Sequence, residues 1–126
     1  MIVTDERAAR FISDRLGFNP CPPYSVMGVE RNGEIVGAVL FNCFEGADVH
    51  VSAAGTGWGR EFLRAVGDYV YRQLGCERFT MTTEDEAVAR YAERLGGVRE
   101  GLLRSHFGPG RDGIVIGVLK AEFRLT

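Results

Sequence analysis

The sequence predicts an α/β (α+β) fold: a mixed, mostly antiparallel sheet of about six strands with three main helices on its faces. Three observations predict it. Strand-length runs rich in β-branched and alternating residues are punctuated by turn signals, the strongest being Asn32-Gly33. Three other segments repeat apolar residues at helical spacing, each with a cap or stop signal of its own. The two kinds are interleaved as α, β, β, β, α, β, α, β, β, an order that places helices over the faces of one sheet.

Thr4 stands where it can cap the first helix, whose opening turn carries Asp5 and Glu6. Ala9, Ile12 and Leu16 share a face, and Gly17 stops the helix. A strand before it spans at most Met1–Val3. Asn19-Pro20-Cys21-Pro22-Pro23 is a rigid break. Tyr24–Arg31 and Glu34–Phe44 form a hairpin through Asn32-Gly33, and Glu45-Gly46 turns the chain into a third strand, Ala47–Ala53. Glycines then cluster at Gly55, Gly57 and Gly59. From Arg60 an amphipathic helix sets Phe62, Leu63, Val66, Tyr69, Val70 and Leu74 on one face and ends at Gly75. Arg78–Thr82 is a short strand. Thr83-Glu84-Asp85-Glu86 reads as a capping box with Thr83 at the N-cap. It opens a helix that buries Val88, Tyr91, Ala92 and Leu95 and closes at Gly96-Gly97. The tail is a second hairpin, Val98–Phe107 and Gly113–Arg124. Without repeats or a linker, residues 1–126 read as a single domain.

Composition excludes several classes. A formal charge of −2, from 15 basic and 17 acidic residues, argues against nucleic acid as a partner. Cys21, Cys43 and Cys76 are odd in number and form no CxxC pair. They read as reduced thiols, with Cys43 and Cys76 as small buried hydrophobes. Two histidines argue against a His-rich metal site, so no metal is expected. The opening residues carry no positive n-region or apolar h-region, and no window reaches about 18 apolar residues. The expected location is the cytoplasm, with no membrane partner.

Ala54–Arg60 is the segment that bears chemistry. A strand, a glycine-rich turn and a helix leave free N–H groups at the helix start, where the dipole favours an anion. Gly55, Thr56, Gly57, Trp58 and Gly59 form the turn, and Arg60 adds a cationic side chain. No Gly-Lys-Ser/Thr follows, so this is not a P-loop. The glycine spacing and preceding hairpins also differ from a dinucleotide fingerprint. A tight turn with no ligand fits these residues equally well.

The order of elements resembles the GNAT acetyltransferase superfamily over nearly the whole chain. That family ends a central strand in Gln/Arg-x-x-Gly-x-Gly/Ala before a long helix. Here Ser52-Ala53-Ala54-Gly55-Thr56-Gly57 or Ala54-Gly55-Thr56-Gly57-Trp58-Gly59 takes that place, without the leading Gln or Arg. Thr83–Gly101 resembles the family's Asn-helix-Leu-Gly-Phe segment, with Asp85 at the Asn and Gly97 at the Phe. Gly101-Leu102-Leu103-Arg104 and Arg111–Leu119 are similar to the closing hairpin of the ribosomal-protein-alanine acetyltransferase branch.

The resemblance implies an N-acetyltransferase that moves an acetyl group directly from acetyl-CoA to a primary amine, on a small molecule or a protein N-terminus. Its cofactor-binding residues would be Val49, Val51, Ser52, Ala53, Gly55, Thr56, Gly57, Trp58, Gly59, Arg60 and Asp85. A strand N–H would polarise the thioester carbonyl. His50, on the central strand and with an unperturbed pKa of about 6.5, is the candidate base; a hydrogen-bonded strand histidine is its plain alternative. His106 and Glu100 are weaker candidates. The family's usual acid, a Tyr four residues before the Gly of Leu-Gly-Phe, falls on Ala92, and Tyr91 is turned about 100° away. Only one helix precedes the hairpin where the family commonly has two, which leaves the acceptor side open or completed by a second subunit. Two further readings stand beside the enzyme: an inactive GNAT-like acyl-CoA-binding module, and a homodimeric interaction protein paired through its C-terminal hairpin.

Overall fold

Turn chemistry and strand patterning resolve into one sheet. The structure, a computed structural model, describes residues 1–125. Its strands are β1 Ile2–Val3, β2 Tyr24–Arg31, β3 Glu34–Asn42, β4 Asp48–Gly55, β5 Arg78–Thr83, β6 Val98–Leu103 and β7 Gly113–Leu119. They lie in the order β1-β2-β3-β4-β5-β7-β6. The two-residue β1 raises the number of strands to seven. Asn32 and Gly33 both take positive φ, 53° and 80°, as a two-residue hairpin turn requires. Every neighbouring pair is antiparallel except β4 and β5, which are parallel and joined by a helical crossover.

The helices are α1 Glu6–Leu16, α2 Arg60–Gly67 and α3 Glu86–Arg94. Two caps differ from expectation. Asp5, not Thr4, caps α1 by accepting from the Arg7 N–H at 3.0 Å. Asp85, not Thr83, caps α3 by accepting from the Ala87 N–H at 2.8 Å. Thr83 is still in β5, paired with Ile114, and its hydroxyl accepts from the Asp85 N–H. Strand ends shift for similar local reasons. β3 stops at Asn42 because Cys43 takes φ 52°, and Cys43 is exposed rather than buried; Cys76 is buried as expected. β4 runs on to Gly55, still paired with Gly37. β7 ends at Leu119, after which the tail folds back. Phe123 packs on Gly67, and the Arg124 N–H donates to the Leu95 carbonyl at 3.0 Å.

α2 continues as a π-helical stretch, Asp68–Gln73, marked by the Leu74 N–H donating to the Tyr69 carbonyl at 2.8 Å. The wider turn carries Val70 and Tyr71 inward together. Tyr71 is 4% exposed and donates its hydroxyl to the Val118 carbonyl at 2.7 Å. A strict 3.6-residue spacing from Phe62 misses it.

Each face of the sheet has its own core. Val49, Val51, Phe79, Ile116 and Val118 pack against Phe62 and Val66 of α2 and Ala89 and Ala92 of α3. On the other face Ala8, Ala9 and Ile12 of α1 cover Val26, Ala38, Leu40 and Ala54. Side chains alternate along a strand, so Asp48, His50 and Ser52 belong to the α1 face. α1 packs on β2, β3 and β4. Beyond it, that face of β5 carries polar side chains: Arg78, Thr80 and Thr82.

Candidate active site

β4 and β5 pair at Asp48↔Arg78, Val49↔Phe79, His50↔Thr80 and Val51↔Met81, and no further. β4 continues to Gly55 bonded to β3, while β5 continues to Thr83 bonded to β7. Past Val51 the two strands diverge. Peptide groups of Ser52–Ala54 that face β5 have no strand partner among the described residues, so they line a slot with backbone donors and acceptors.

The glycine loop closes one end of that slot. Its Thr56 N–H donates to the Val36 carbonyl and its Gly59 N–H to the Gly57 carbonyl, both at 2.9 Å. Gly59 is the N-cap of α2 and offers no side-chain acceptor. The amides of Gly57, Trp58, Arg60, Glu61 and Phe62 therefore donate to no protein acceptor among the described residues. A Cβ on Gly59 would stand in open space. Gly55 and Gly57 are bound to glycine for another reason: both take φ 87°, and a Cβ on Gly55 would strike the Val36 carbonyl. Arg60 is exposed and makes no ion pair among the described residues. α3 begins beside the end of β5, yet its first turn is already capped by Asp85. Of the two helix starts that follow the diverging strands, α2 alone is left open to an anion.

A hydroxyl on α3 braces the loop. Tyr91 donates to the Trp58 carbonyl at 2.8 Å, and its ring lies 5.9 Å from the indole. Trp58 packs against the core of the α2/α3 face, and its Nε1–H is buried without an acceptor among the described residues. Ala92, where an acid would be sought, is buried among core side chains.

The expected cofactor residues thus divide by role. The side chains of Val49 and Val51 are core, so only their backbone is available. Ser52 and Ala53 stand where the strands part. Gly55 and Thr56 serve the turn; Gly57, Trp58 and Arg60 present free amides. Asp85 spends one oxygen on α3. Sequence reasoning missed the amides of Glu61 and Phe62, which a bare Gly59 at a helix start could have signalled.

On the α1 face, His50 Nε2 lies 3.4 Å from Thr82 Oγ1. Burial pushes the His50 imidazole below its usual value; Asp48 opposes this and His106 adds to it. The outcome is a neutral imidazole at pH 7, able to accept a proton. One step along the strands, Thr80 donates to Asp48 at 2.8 Å, and Arg78 pairs with Glu100 at 2.6 Å. Glu100 is thereby committed to Arg78. Two concavities of about 430 and 360 Å³ lie elsewhere, one at the β2 edge by Tyr24 and Tyr69, the other by Arg72 and Phe123. Neither is lined by His50 or the loop.

Solved structures share this fold. A Phe-to-Ala variant of the spermidine N-acetyltransferase SpeG from Vibrio cholerae superposes with a TM-score of 0.77 at 16% identity, over 98% of this chain and 97% of that one. Spermidine N-acetyltransferase from Vibrio cholerae in complex with CoA and spermine gives 0.74 at 15% identity, over 97% and 96%. No family model matches the sequence, and no curated protein matches it. At these identities the likeness establishes the fold alone.

Proposed function

We propose that the chain is an acyl-CoA-dependent N-acetyltransferase acting on a primary amine. The observation that carries this reading is the uncapped start of α2 at the mouth of the slot between β4 and β5. The slot residues fit acetyl-CoA: free amides and Arg60 suit its pyrophosphate, and the unpaired edge of Ser52–Ala54 suits its amide-bearing arm. Bound there, acetyl-CoA supplies the thioester.

This chain's residues do the rest. α2 and α3 lie on one face and His50 on the other, so the acceptor reaches the slot from the α1 face. His50 takes a proton from the acceptor ammonium. The amine nitrogen then bonds to the thioester carbon and releases its second proton to water as the C–S bond breaks, and the thiolate takes a proton from water, since Ala92 provides no acid. A backbone N–H in the slot holds the developing oxyanion.

The closing hairpin supports an acceptor like that of the ribosomal-protein-alanine branch, a protein N-terminus; the spermine in the neighbouring complex supports a small polyamine. A cytoplasmic homodimer, joined at the exposed β6 residues Val98, Leu102 and Leu103, completes the proposal. Ala92 also favours a second reading, a module that binds acyl-CoA without turning it over. Thermal shift with acetyl-CoA tests binding, and thiol release over a panel of amines tests transfer. No shift at millimolar ligand overturns both readings; a shift without thiol release favours the second.

A further inference from the structure

The glycine loop is held at its middle from outside. The peptide unit joining Trp58 to Gly59 is bonded at both ends: its carbonyl accepts from the Tyr91 hydroxyl at 2.8 Å, and its N–H donates to the Gly57 carbonyl at 2.9 Å. The units on either side carry the Trp58 and Arg60 N–H groups, two of the donors left free at the start of α2. Turning the middle unit changes ψ of Trp58 and φ of Gly59, and with them the angle between those two donors. Local restraint is weak there. A Cβ on Gly59 would stand in open space, so that side of the unit is free to turn. The indole does not anchor the other side through its own polar atom, because its Nε1–H is buried without an acceptor among the described residues.

Tyr91 stands on firmer ground. It lies on α3, which Arg99 of β6 clasps through Glu86 at 3.2 Å and Glu93 at 3.1 Å. Its ring lies 5.9 Å from the indole, and the Arg94 guanidinium carbon lies 5.5 Å from its centre. Ala89 and Ala92, on either side of it in the helix, are buried in the core. The hydroxyl thus reaches the loop from a helix that is fixed without any ligand.

We propose that Tyr91 is the positioning residue of the anion cradle: by holding the Trp58 carbonyl, it fixes the Trp58 and Arg60 amides as a matched pair of donors to the diphosphate of acyl-CoA. This rests on the acyl-CoA reading. The hydroxyl is spent on the loop, so it acts on the binding of acetyl-CoA and not on proton transfer. Without it the middle unit samples other orientations, and only a fraction of the protein is competent to bind. The apparent Kd then rises by the inverse of that fraction. One lost neutral hydrogen bond sets the size, roughly threefold to tenfold.

Tyr91→Phe keeps the ring and its contacts and removes only the hydroxyl. Isothermal titration calorimetry with CoA should show Kd raised roughly threefold to tenfold. In the thiol-release assay KM for acetyl-CoA rises by the same factor, while kcat and the KM for the amine hold. Hydrogen exchange of the ligand-free variant should show the Gly59 amide exchanging faster than in the parent. Gly59→Ala added to Tyr91→Phe narrows the backbone at a φ of −77° that alanine accepts, and restores part of the affinity. A raised Kd that this second substitution leaves untouched marks lost packing and overturns the proposal, as does an unchanged Kd in Tyr91→Phe. CoA binding to neither parent nor variant, with Gly59 exchange still quickened, supports the brace and overturns the acyl-CoA reading instead.

Discussion

Replacing Gly59 with aspartate should stabilise the protein and weaken its hold on acetyl-CoA. Gly59 has φ −77° and ψ 177°, and a Cβ there meets nothing within 4 Å, so the substitution carries no strain. A side-chain acceptor at an N-cap gains a few tenths of a kcal/mol over glycine. A carboxylate at the positive end of a helix adds roughly 0.3–1 kcal/mol. Together these give about 1 kcal/mol, or about 4 °C in melting midpoint for a chain of this size. The same oxygens occupy the amides of Glu61 and Phe62 and set a negative charge where phosphates would lie. Acetyl-CoA at a hundredfold excess over its Kd stabilises the wild type by about 2.7 kcal/mol, and a tenfold loss of affinity cuts this to about 1.4 kcal/mol. Differential scanning fluorimetry should therefore show a raised midpoint without ligand and a ligand increment reduced by about half or more. Gly59→Ala, which adds no oxygen, keeps the increment. An undiminished increment in Gly59→Asp refutes phosphate binding at the start of α2.

Three other outcomes are expected. His50→Gln lowers kcat by roughly 10²–10⁴ in the thiol-release assay without reducing the acetyl-CoA thermal shift. Because the folded imidazole titrates below its usual 6.5, its contribution to stability is present above that value and is lost as pH falls through the folded value. The melting midpoint of the wild type should thus drop more between pH 7 and 5 than that of His50→Gln. Asp5, Glu84 and Glu86, held low by Arg7, Arg111 and Arg99, act only in more acid solution. Tyr71→Phe removes the buried hydrogen bond to the Val118 carbonyl and costs about 1 kcal/mol in urea unfolding, with the slope unchanged. Gly55→Ala forces a left-handed backbone onto alanine, at roughly 1–2 kcal/mol, and drives its Cβ to 2.7 Å from Gly37 Cα. A Gly55→Ala variant as stable as the parent would contradict the described turn.

The strands and helices were legible wherever local chemistry is decisive. Asn32-Gly33 admits few conformations other than a tight hairpin, and the Phe62–Val66 spacing admits few other than a helix. Tyr71 was hidden because the period changes from α to π at Asp68, and no residue there announces the wider turn. Thr4 and Thr83 were read as caps because threonine suits that place, yet an aspartate follows each and competes better for the amides. Gly57, Trp58 and Arg60 could be read from the glycine loop. The meeting of His50 and Thr82 could not. It depends on β5 lying beside β4 and on the register His50↔Thr80, which long-range pairing alone decides.

Among the described residues, four pairs between β4 and β5 are the sheet's only seam between its amino-terminal strands and its carboxy-terminal ones. The Tyr91 hydroxyl on the Trp58 carbonyl is one more stitch, tying α3 to the far bank. Each bank otherwise has its own ladder, and only the first is padded by α1. Local opening along such a seam costs less than global unfolding, so its amides should exchange hydrogen ahead of β3 and β7. A ligand lying in the slot touches both banks at once and works as a rivet. Occupancy would then slow exchange along the whole seam, well beyond the residues it contacts.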